Sequence, residues 1–262
     1  MLTSYLEGRL FGSRTGTSAP WVLALHGWRR THADFGAVLG AGEATLDSIA
    51  LDLPGFGATP PPPAPWGSAE YATELLPVLV DMAAERGGPV VVLGHSFGGR
   101  VAAHLAAGSP ELVRALVLSG VPRLAGVGTA GVGTKVRRTA PTFRIGRALH
   151  RRGLIGEATM EGLRMRYGSA DYRGAQGVMR QVLVRAVNES YEAQLAALRC
   201  DVELVWGEAD TVAPLDGARQ AAEALGARGR LSVCPGVGHL TPLEAPGALR
   251  EALERHRPAP KP

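Results

Sequence analysis

The sequence predicts an α/β fold in which a mostly parallel central sheet carries helices on both faces. Short apolar runs, which are typical of buried strands, alternate along the chain with segments of helical spacing. The connections between them are short, as expected for the strand–helix units of a parallel sheet. The chain of 262 residues is 45% hydrophobic, and its 35 glycines and 19 prolines indicate many turns rather than a bundle of long helices.

Six strands and four helices are predicted in this alternation. The apolar runs place strands at residues 21–25, 48–53, 89–93, 115–118, 202–206 and 231–233. Helical spacing places helices at residues 68–85, 97–107, 215–225 and 243–256. Ser68 is the expected N-terminal cap of the first helix, and Gly87-Gly88 is its expected end.

A change in the pattern from Pro122 to Leu198 predicts an insert in this α/β core. Strand-like runs disappear there, and helical segments interrupted by glycine replace them. We therefore divide the chain into a core of residues 1–121 and 199–262 and a helical cap, or lid, of residues 122–198. Residues 125–135 are rich in glycine, and we expect a protease to cut this stretch first.

Composition and charge argue against several classes of protein. The net charge is +4, and the chain has neither a lysine-rich run nor a nucleic-acid-binding motif, so we expect no nucleic-acid partner. The spacing of Cys200 and Cys234 fits no zinc site, and we expect no metal. No apolar run approaches the ~20 residues of a membrane span, and a secretion signal is absent, which predicts a cytoplasmic protein.

The motif Gly94-His95-Ser96-Phe97-Gly98 lies between a predicted strand and a predicted helix. This is the context of a nucleophile elbow, in which a sharp turn exposes a serine hydroxyl. Strand and helix approach each other closely at such a turn, which explains the glycines at 94 and 98. Ser96 is therefore the predicted nucleophile, and Gly94, His95 and Gly98 are predicted to support it.

A serine hydroxyl needs a general base, and His239 is the predicted one. His239 follows the last predicted strand and comes directly after Gly238, so we expect it in a loop at the carboxyl edge of the sheet. In enzymes whose nucleophilic serine lies in such an elbow, the serine comes first in the chain, the acid second and the histidine third. The other downstream histidines, His104, His150 and His256, are assigned to packing, to the insert and to the C-terminus.

The acid that orients His239 should follow a strand between Ser96 and His239. The strand at 202–206 ends in Gly207-Glu208-Ala209-Asp210, and Asp210 is the predicted acid. Glu208 is the alternative carboxylate in the same loop. The loop after the strand at 115–118 carries no carboxylate, which favours this later position.

Two backbone N–H groups are needed to stabilise the oxyanion that forms on the substrate. The amide of Phe97, directly after the nucleophile, is the first predicted donor. The amide of Trp28, in the loop His26-Gly27-Trp28 after the first predicted strand, is the second. His26 and Gly27 are expected to hold this loop in place rather than to take part in the chemistry.

Taken together, these motifs resemble the α/β-hydrolase superfamily, and most nearly its bacterial serine hydrolases with a helical cap. The motifs are His26-Gly27-Trp28, Asp52-Leu53-Pro54-Gly55-Phe56-Gly57, Gly94-His95-Ser96-Phe97-Gly98-Gly99, Gly207-Glu208-Ala209-Asp210 and Gly238-His239. The resemblance covers nearly the whole core and implies the α/β-hydrolase fold, with a cap inserted after the sixth strand. Serine at position 96 argues against the haloalkane dehalogenases and epoxide hydrolases of this fold, which use aspartate there.

The function expected from these residues and this resemblance is that of a carboxylesterase-like serine hydrolase. It would cleave a small ester, thioester or lactone through an acyl-enzyme on Ser96, without a metal or organic cofactor. Carbon–carbon bond hydrolysis and perhydrolysis by the same three residues are enzymatic alternatives, although carbon–carbon hydrolases usually carry asparagine where this chain has His95. A ligand receptor with slow turnover is the alternative that is not an enzyme in the ordinary sense.

Positive charge is concentrated in the predicted cap. Residues 122–198 contain thirteen basic residues against five acidic ones, a net charge of +8, so the remainder of the +4 chain carries −4. A basic rim favours anionic acyl substrates; the alternative is that these arginines form the solvated face of the cap helices. The segment 144–152 mixes basic with apolar residues but is short for stable membrane anchoring.

Overall fold

A single eight-stranded sheet lies at the centre of the computed structural model, which describes residues 2–40, 45–124, 141–167 and 170–259. The strands are β1 (Leu2–Tyr5), β2 (Leu10–Thr15), β3 (Val22–Leu25), β4 (Ser48–Asp52), β5 (Val90–His95), β6 (Val113–Ser119), β7 (Asp201–Gly207) and β8 (Gly229–Cys234). They are arranged in the order β1-β2-β4-β3-β5-β6-β7-β8. The strands from β3 to β8 pair in parallel, whereas β1 with β2 and β2 with β4 are antiparallel. The mostly parallel sheet predicted from the sequence is confirmed.

Helices cover both faces of this sheet. They are α1 (Gly36–Leu39), α2 (Ser68–Arg86), α3 (Phe97–Gly108), α4 (Pro141–Arg151), α5 (Glu157–Tyr167), α6 (Ala170–Gly174), α7 (Gly177–Ala186), α8 (Glu192–Ala197), α9 (Leu215–Leu225), α10 (Thr241–Glu244) and α11 (Pro246–Glu254). Successive side chains of a strand point to opposite faces. In β3, Leu23 and Leu25 therefore pack in the cluster that includes α2, α3 and α9, while Val22 and Ala24 pack in the cluster that includes α1 and α11.

Three local features differ from the sequence prediction. Strands β1 and β2 are not among the predicted ones, because their residues are mixed in polarity and β2 is held in place by antiparallel pairing with β4. The single helix predicted over 243–256 is wrong: it is divided into α10 and α11, because the residue before Pro246 leaves the helical conformation. The prediction that Ser68 is the N-terminal capping residue of α2 is also wrong, since Gly67 occupies that position.

The insert supplies the helices from α4 to α8, between β6 and β7. Its last part packs deep into the molecule, because Tyr191 and Leu195 belong to the same buried cluster as α2 and α3. The glycine-rich stretch 125–135, where we expect the first proteolytic cut, lies outside the described residues. The division into a core and a cap of residues 122–198 stays a prediction. None of the helices in the described ranges is both long and apolar enough to cross a membrane.

Candidate active site

Ser96, the predicted nucleophile, lies at the turn between β5 and α3. Its backbone has φ 50° and ψ −112°, a conformation that costs a residue other than glycine of the order of 1–3 kcal/mol and persists only where the surroundings impose it. Its N–H donates to the carbonyl oxygen of Ser119 at 2.8 Å, which ties the turn to the end of β6.

Two glycines allow this turn to form. A Cβ atom at Gly94 would lie 2.5 Å from the Cα of Gly99. A Cβ atom at Gly98 would lie 2.1 Å from the carbonyl oxygen of Leu25, at the end of β3. Both contacts are to backbone, which cannot move aside as a flexible side chain can. The sequence-based explanation of these glycines, a close approach of strand and helix, therefore agrees with the geometry.

Residues from three separate loops meet at Ser96. The Nε2 atom of His239 lies 3.2 Å from the Ser96 Oγ atom, and its Nδ1 atom lies 2.8 Å from Oδ2 of Asp210. Asp210 follows β7, and His239 follows β8. The parallel strands place all three side chains at the same edge of the sheet. The hydroxyl, imidazole and carboxylate form one continuous hydrogen-bonded path.

The structure distinguishes the two carboxylates of the loop after β7. Asp210 is 5% exposed, and its Oδ1 atom accepts hydrogen bonds from the N–H groups of Val212 and Ala213, both at 2.8 Å. These two bonds fix the carboxylate, so that Oδ2 faces His239. Glu208, by contrast, is exposed, and its Oε2 atom accepts from the Gly236 N–H at 3.2 Å. Asp210, and not Glu208, is the carboxylate that contacts the imidazole.

The two predicted oxyanion donors belong to the loop after β3, which carries Trp28, and to the first residue of α3, Phe97. The loop after β3 is drawn against α3, because the Gly98 N–H donates to the His26 carbonyl oxygen at 3.0 Å. A Cβ atom at Gly27 would lie 3.3 Å from the Ser96 Cβ, so this backbone lies directly against the nucleophile. Within the described ranges, the N–H groups of Trp28 and Phe97 donate to no protein acceptor. Both amides are therefore available to an oxygen on a substrate.

Two buried histidines support these loops. His26 donates from Nδ1 to the Gly27 carbonyl oxygen at 2.7 Å and accepts at Nε2 from the Leu53 N–H at 3.0 Å, which joins the loops after β3 and β4. His95 donates from Nδ1 to the Ser119 carbonyl oxygen at 3.1 Å. Its ring centre lies 5.0 Å from that of His239. Both side chains hydrogen-bond to backbone groups of neighbouring loops, and their supporting role stays a prediction.

These two histidines should make the protein sensitive to acid. Burial lowers the pKa of His26 to about 4, and burial together with the nearby His239 lowers the pKa of His95 to about 3. In an unfolded chain each ring titrates near ~6.5, so the unfolded state binds more protons between these values. The free energy of unfolding should therefore be highest above pH ~6.5 and fall as the pH decreases, by up to about 1.4 kcal/mol per pH unit for each ring.

Urea unfolding at a series of pH values from neutral to ~4.5 measures the slope of the free energy of unfolding against pH. The variant H26N should lower this slope by the contribution of about one proton, because it removes one ring that binds a proton in the unfolded state. The variant H150Q, which removes a half-buried histidine of the insert, serves as the control and should leave the slope closer to that of the unchanged protein. A slope that H26N does not alter would contradict the assignment of a neutral, buried ring.

One supporting residue was not assigned from the sequence. Asp52, at the end of β4, is buried and accepts hydrogen bonds from the backbone N–H and the Nδ1 atom of His32, both at 2.8 Å, and from the Ala58 N–H at 3.0 Å. Burial alone raises the pKa of Asp52, but these hydrogen bonds outweigh it and hold the pKa below its usual range. The carboxylate thus joins the loop that carries Trp28 to the loop after β4. A carboxylate at the end of the apolar run at residues 49–51 was the available signal.

The insert lies against the loops around the candidate site. The space beside Gly55, in the loop after β4, is filled by the Met179 side chain of α7. Gly174 of α6 lies against the guanidinium of Arg29, the residue after Trp28. In the described part of the chain, no three His, Cys, Asp or Glu side chains are grouped so as to hold a metal ion. The expectation of a reaction without metal or cofactor stays a prediction.

Comparison with known proteins places this chain in a family. Residues 22–252 match the model of the alpha/beta hydrolase family. The chain is 42% identical over 106 residues to lipase LipV of Mycobacterium tuberculosis and 39% identical over 118 residues to an esterase of the same organism. These segments cover 40% and 42% of this chain but 39% and 36% of the relatives, so the chain matches less than half of their lengths.

A similar fold is found in a solved structure. A thermophilic esterase from Thermogutta terrifontis superimposes with a TM-score of 0.66 over 97% of this chain and 95% of that protein, at 23% sequence identity. At this identity the likeness concerns the fold. The family model, by contrast, spans nearly the whole core, from β3 to the C-terminal helix. The chain therefore belongs to the alpha/beta hydrolase family.

Proposed function

We propose that this protein is a serine hydrolase that cleaves a small ester, thioester or lactone through an acyl-enzyme on Ser96. The observation that carries the proposal is the hydrogen-bonded path from the Ser96 hydroxyl through His239 to the buried Asp210. Membership of the alpha/beta hydrolase family supports a hydrolytic reaction, and the lipase and esterase among the matched relatives support an ester as the bond that is cleaved.

In the first half of the proposed reaction, His239 accepts the proton of the Ser96 hydroxyl at Nε2 while Oγ attacks the carbonyl carbon. The carbonyl π electrons move to the oxygen, which becomes an oxyanion between the amides of Trp28 and Phe97. His239 then gives its proton to the leaving alcohol or thiol as the bond to it breaks. Asp210 keeps the Nδ1 proton of His239 in place and stabilises the imidazolium.

Water completes the reaction. His239 removes a proton from a water molecule, whose oxygen attacks the acyl carbon, and the same two amides hold the second oxyanion. The proton then returns from His239 to Ser96 Oγ as the acid is released. Ser96 is 9% exposed, so substrate must reach it through a confined opening. The insert of residues 122–198, with Met179 and Gly174 against the surrounding loops, is proposed to form the lid over this opening.

A panel of p-nitrophenyl esters of increasing acyl length tests the proposal. Turnover should be catalytic, with the highest kcat/KM at a particular chain length, because a confined pocket accepts a limited acyl group. The panel should include matched esters with and without a distal carboxylate, since the net charge of +8 on residues 122–198 favours anions. That preference should weaken at high salt, because the Debye length falls from ~10 Å at 0.1 M to ~3 Å at 1 M.

The same panel separates the alternatives. Binding of esters with a single turnover or none would favour a ligand receptor. A dienoate product of aromatic ring fission that is cleaved faster than every ester would favour a carbon–carbon bond hydrolase. Equal rates for the neutral and the anionic ester at low salt would remove the anionic preference but leave the proposed ester cleavage intact.

A further inference from the structure

Helix α4 has one face against the protein and another in solvent. A Cβ atom at Gly146 would lie 2.2 Å from Cδ1 of Leu163, so this side of α4 packs on α5. With 100° between successive residues of a helix, Ile145 and Arg147 point away from that contact on either side. Both are exposed, and Ile145 keeps 59% of its accessible surface.

A defined turn at the end of α4 is followed by a second exposed apolar side chain, Leu154. Gly153 has φ +70°, its N–H donates to the His150 carbonyl oxygen at 2.9 Å, and the Leu154 N–H donates to the Leu149 carbonyl oxygen at 2.9 Å. This is a Schellman motif, in which the residue after the glycine commonly packs back on the helix. Leu154 is instead 66% exposed. The two hydrogen bonds of this turn fix the backbone at Leu154, so its exposed side chain belongs to a defined turn.

Three arginines lie on the same helix and end turn as these apolar side chains. Arg147, Arg151 and Arg152 are exposed, and within the described ranges none of them forms an ion pair. Their situation differs from that of arginines elsewhere in the insert: Arg164 and Arg180 pair with Glu161, and Arg185 pairs with Glu70. The acidic residue that contacts α4, Glu157, is paired with His150 and Arg164 on the α5 side.

We propose that the exposed face of α4 and its end turn, formed by Ile145, Arg147, Arg151, Arg152 and Leu154, binds reversibly to an anionic lipid surface. Exposed apolar side chains can enter the boundary between headgroups and acyl chains, while basic side chains beside them attract the anionic headgroups. The charge is complementary, because these arginines form no ion pair with the described residues and the insert as a whole carries +8. The segment is short, which fits reversible attachment rather than permanent anchoring.

Cosedimentation of the full chain with lipid vesicles tests this proposal. The protein, as its S96A variant so that no lipid is consumed, should bind vesicles of phosphatidylcholine with phosphatidylglycerol and bind vesicles of phosphatidylcholine alone much more weakly. Each basic residue near an anionic surface contributes about fivefold in affinity. The double variant R147E/R151E should therefore lower binding at least roughly tenfold, and high salt should do the same.

Matched variants separate this face from general charge and hydrophobicity. The double variant R199E/R230E makes the same change in net charge at exposed arginines outside α4 and should largely retain binding. I145S/L154S should weaken binding, whereas V212S, which alters a residue that is 58% exposed in the loop after β7, should not. Cleavage of a short, uncharged, water-soluble ester by the same variants in the Ser96 form is measured in parallel, so that failure of lipid binding and failure of the proposed function are read separately.

Three results would overturn the proposal. One is equal binding to neutral and anionic vesicles. Another is an equal loss of binding in R147E/R151E and R199E/R230E. The third is a concentration-dependent dimer in solution that I145S/L154S abolishes while vesicle binding is absent, which would assign the face to a second copy of the chain.

Discussion

Replacing Ser96 by alanine is expected to lower kcat for ester hydrolysis by about 10⁶-fold, because Ser96 is, among the described residues, the one hydroxyl that hydrogen-bonds to His239 Nε2 and would form the proposed acyl-enzyme. A residual rate above that of water should remain, since the amides of Trp28 and Phe97 are still in place. A fluorophosphonate probe should label the unchanged protein with one equivalent and the S96A variant not at all. The measurement is single-turnover hydrolysis together with mass analysis of the labelled protein.

The matched control for this prediction is S119A. Ser119 is a buried serine beside the same turn, but its backbone carbonyl makes the contacts to Ser96 and His95, and its hydroxyl has no hydrogen-bond partner in the described part of the chain. Loss of its hydroxyl should therefore leave labelling and turnover nearly unchanged. If S96A keeps its label or a rate near that of the unchanged protein, Ser96 is not the nucleophile.

Replacing Asp210 by asparagine is expected to lower kcat by about 10⁴-fold with little change in KM. The amide oxygen can still accept from the N–H groups of Val212 and Ala213, so the loop should keep its shape. The amide nitrogen would then face Nδ1 of His239 and donate to it. This reverses the tautomer, places a proton on Nε2 and leaves His239 unable to accept the proton of Ser96.

The control for this prediction is E208Q, in the same loop. Glu208 is exposed and contacts a backbone N–H rather than His239, so kcat should change by less than about threefold, as is usual for a surface substitution. Steady-state kinetics of both variants on one ester compare them directly. A severe loss in E208Q with a mild loss in D210N would assign the orienting role to the other carboxylate, and a rise in KM alone would assign Asp210 to substrate binding.

The sequence alone predicted those features that depend on residues close together in the chain. The turn at Ser96 is formed by a strand, a serine between glycines and a helix that are contiguous in the chain, so the steric need for Gly94 and Gly98 is already visible in the order of residues. The parallel strands were predictable for a related reason. A strand buried on both faces reads as a nearly continuous apolar run, as residues 90–93 of β5 do.

The features that only the tertiary structure decides depend on contacts between residues that are far apart in the chain. Asp210 and Glu208 are two residues apart in one loop, and although the sequence favours Asp210, the contact that distinguishes it is its hydrogen bond to His239, which follows another strand. The edge strand β2 and the buried Asp52 likewise depend on partners in other segments. Strand periodicity and turn composition act over a few residues, whereas these contacts exist only after the sheet has brought separate loops to one edge.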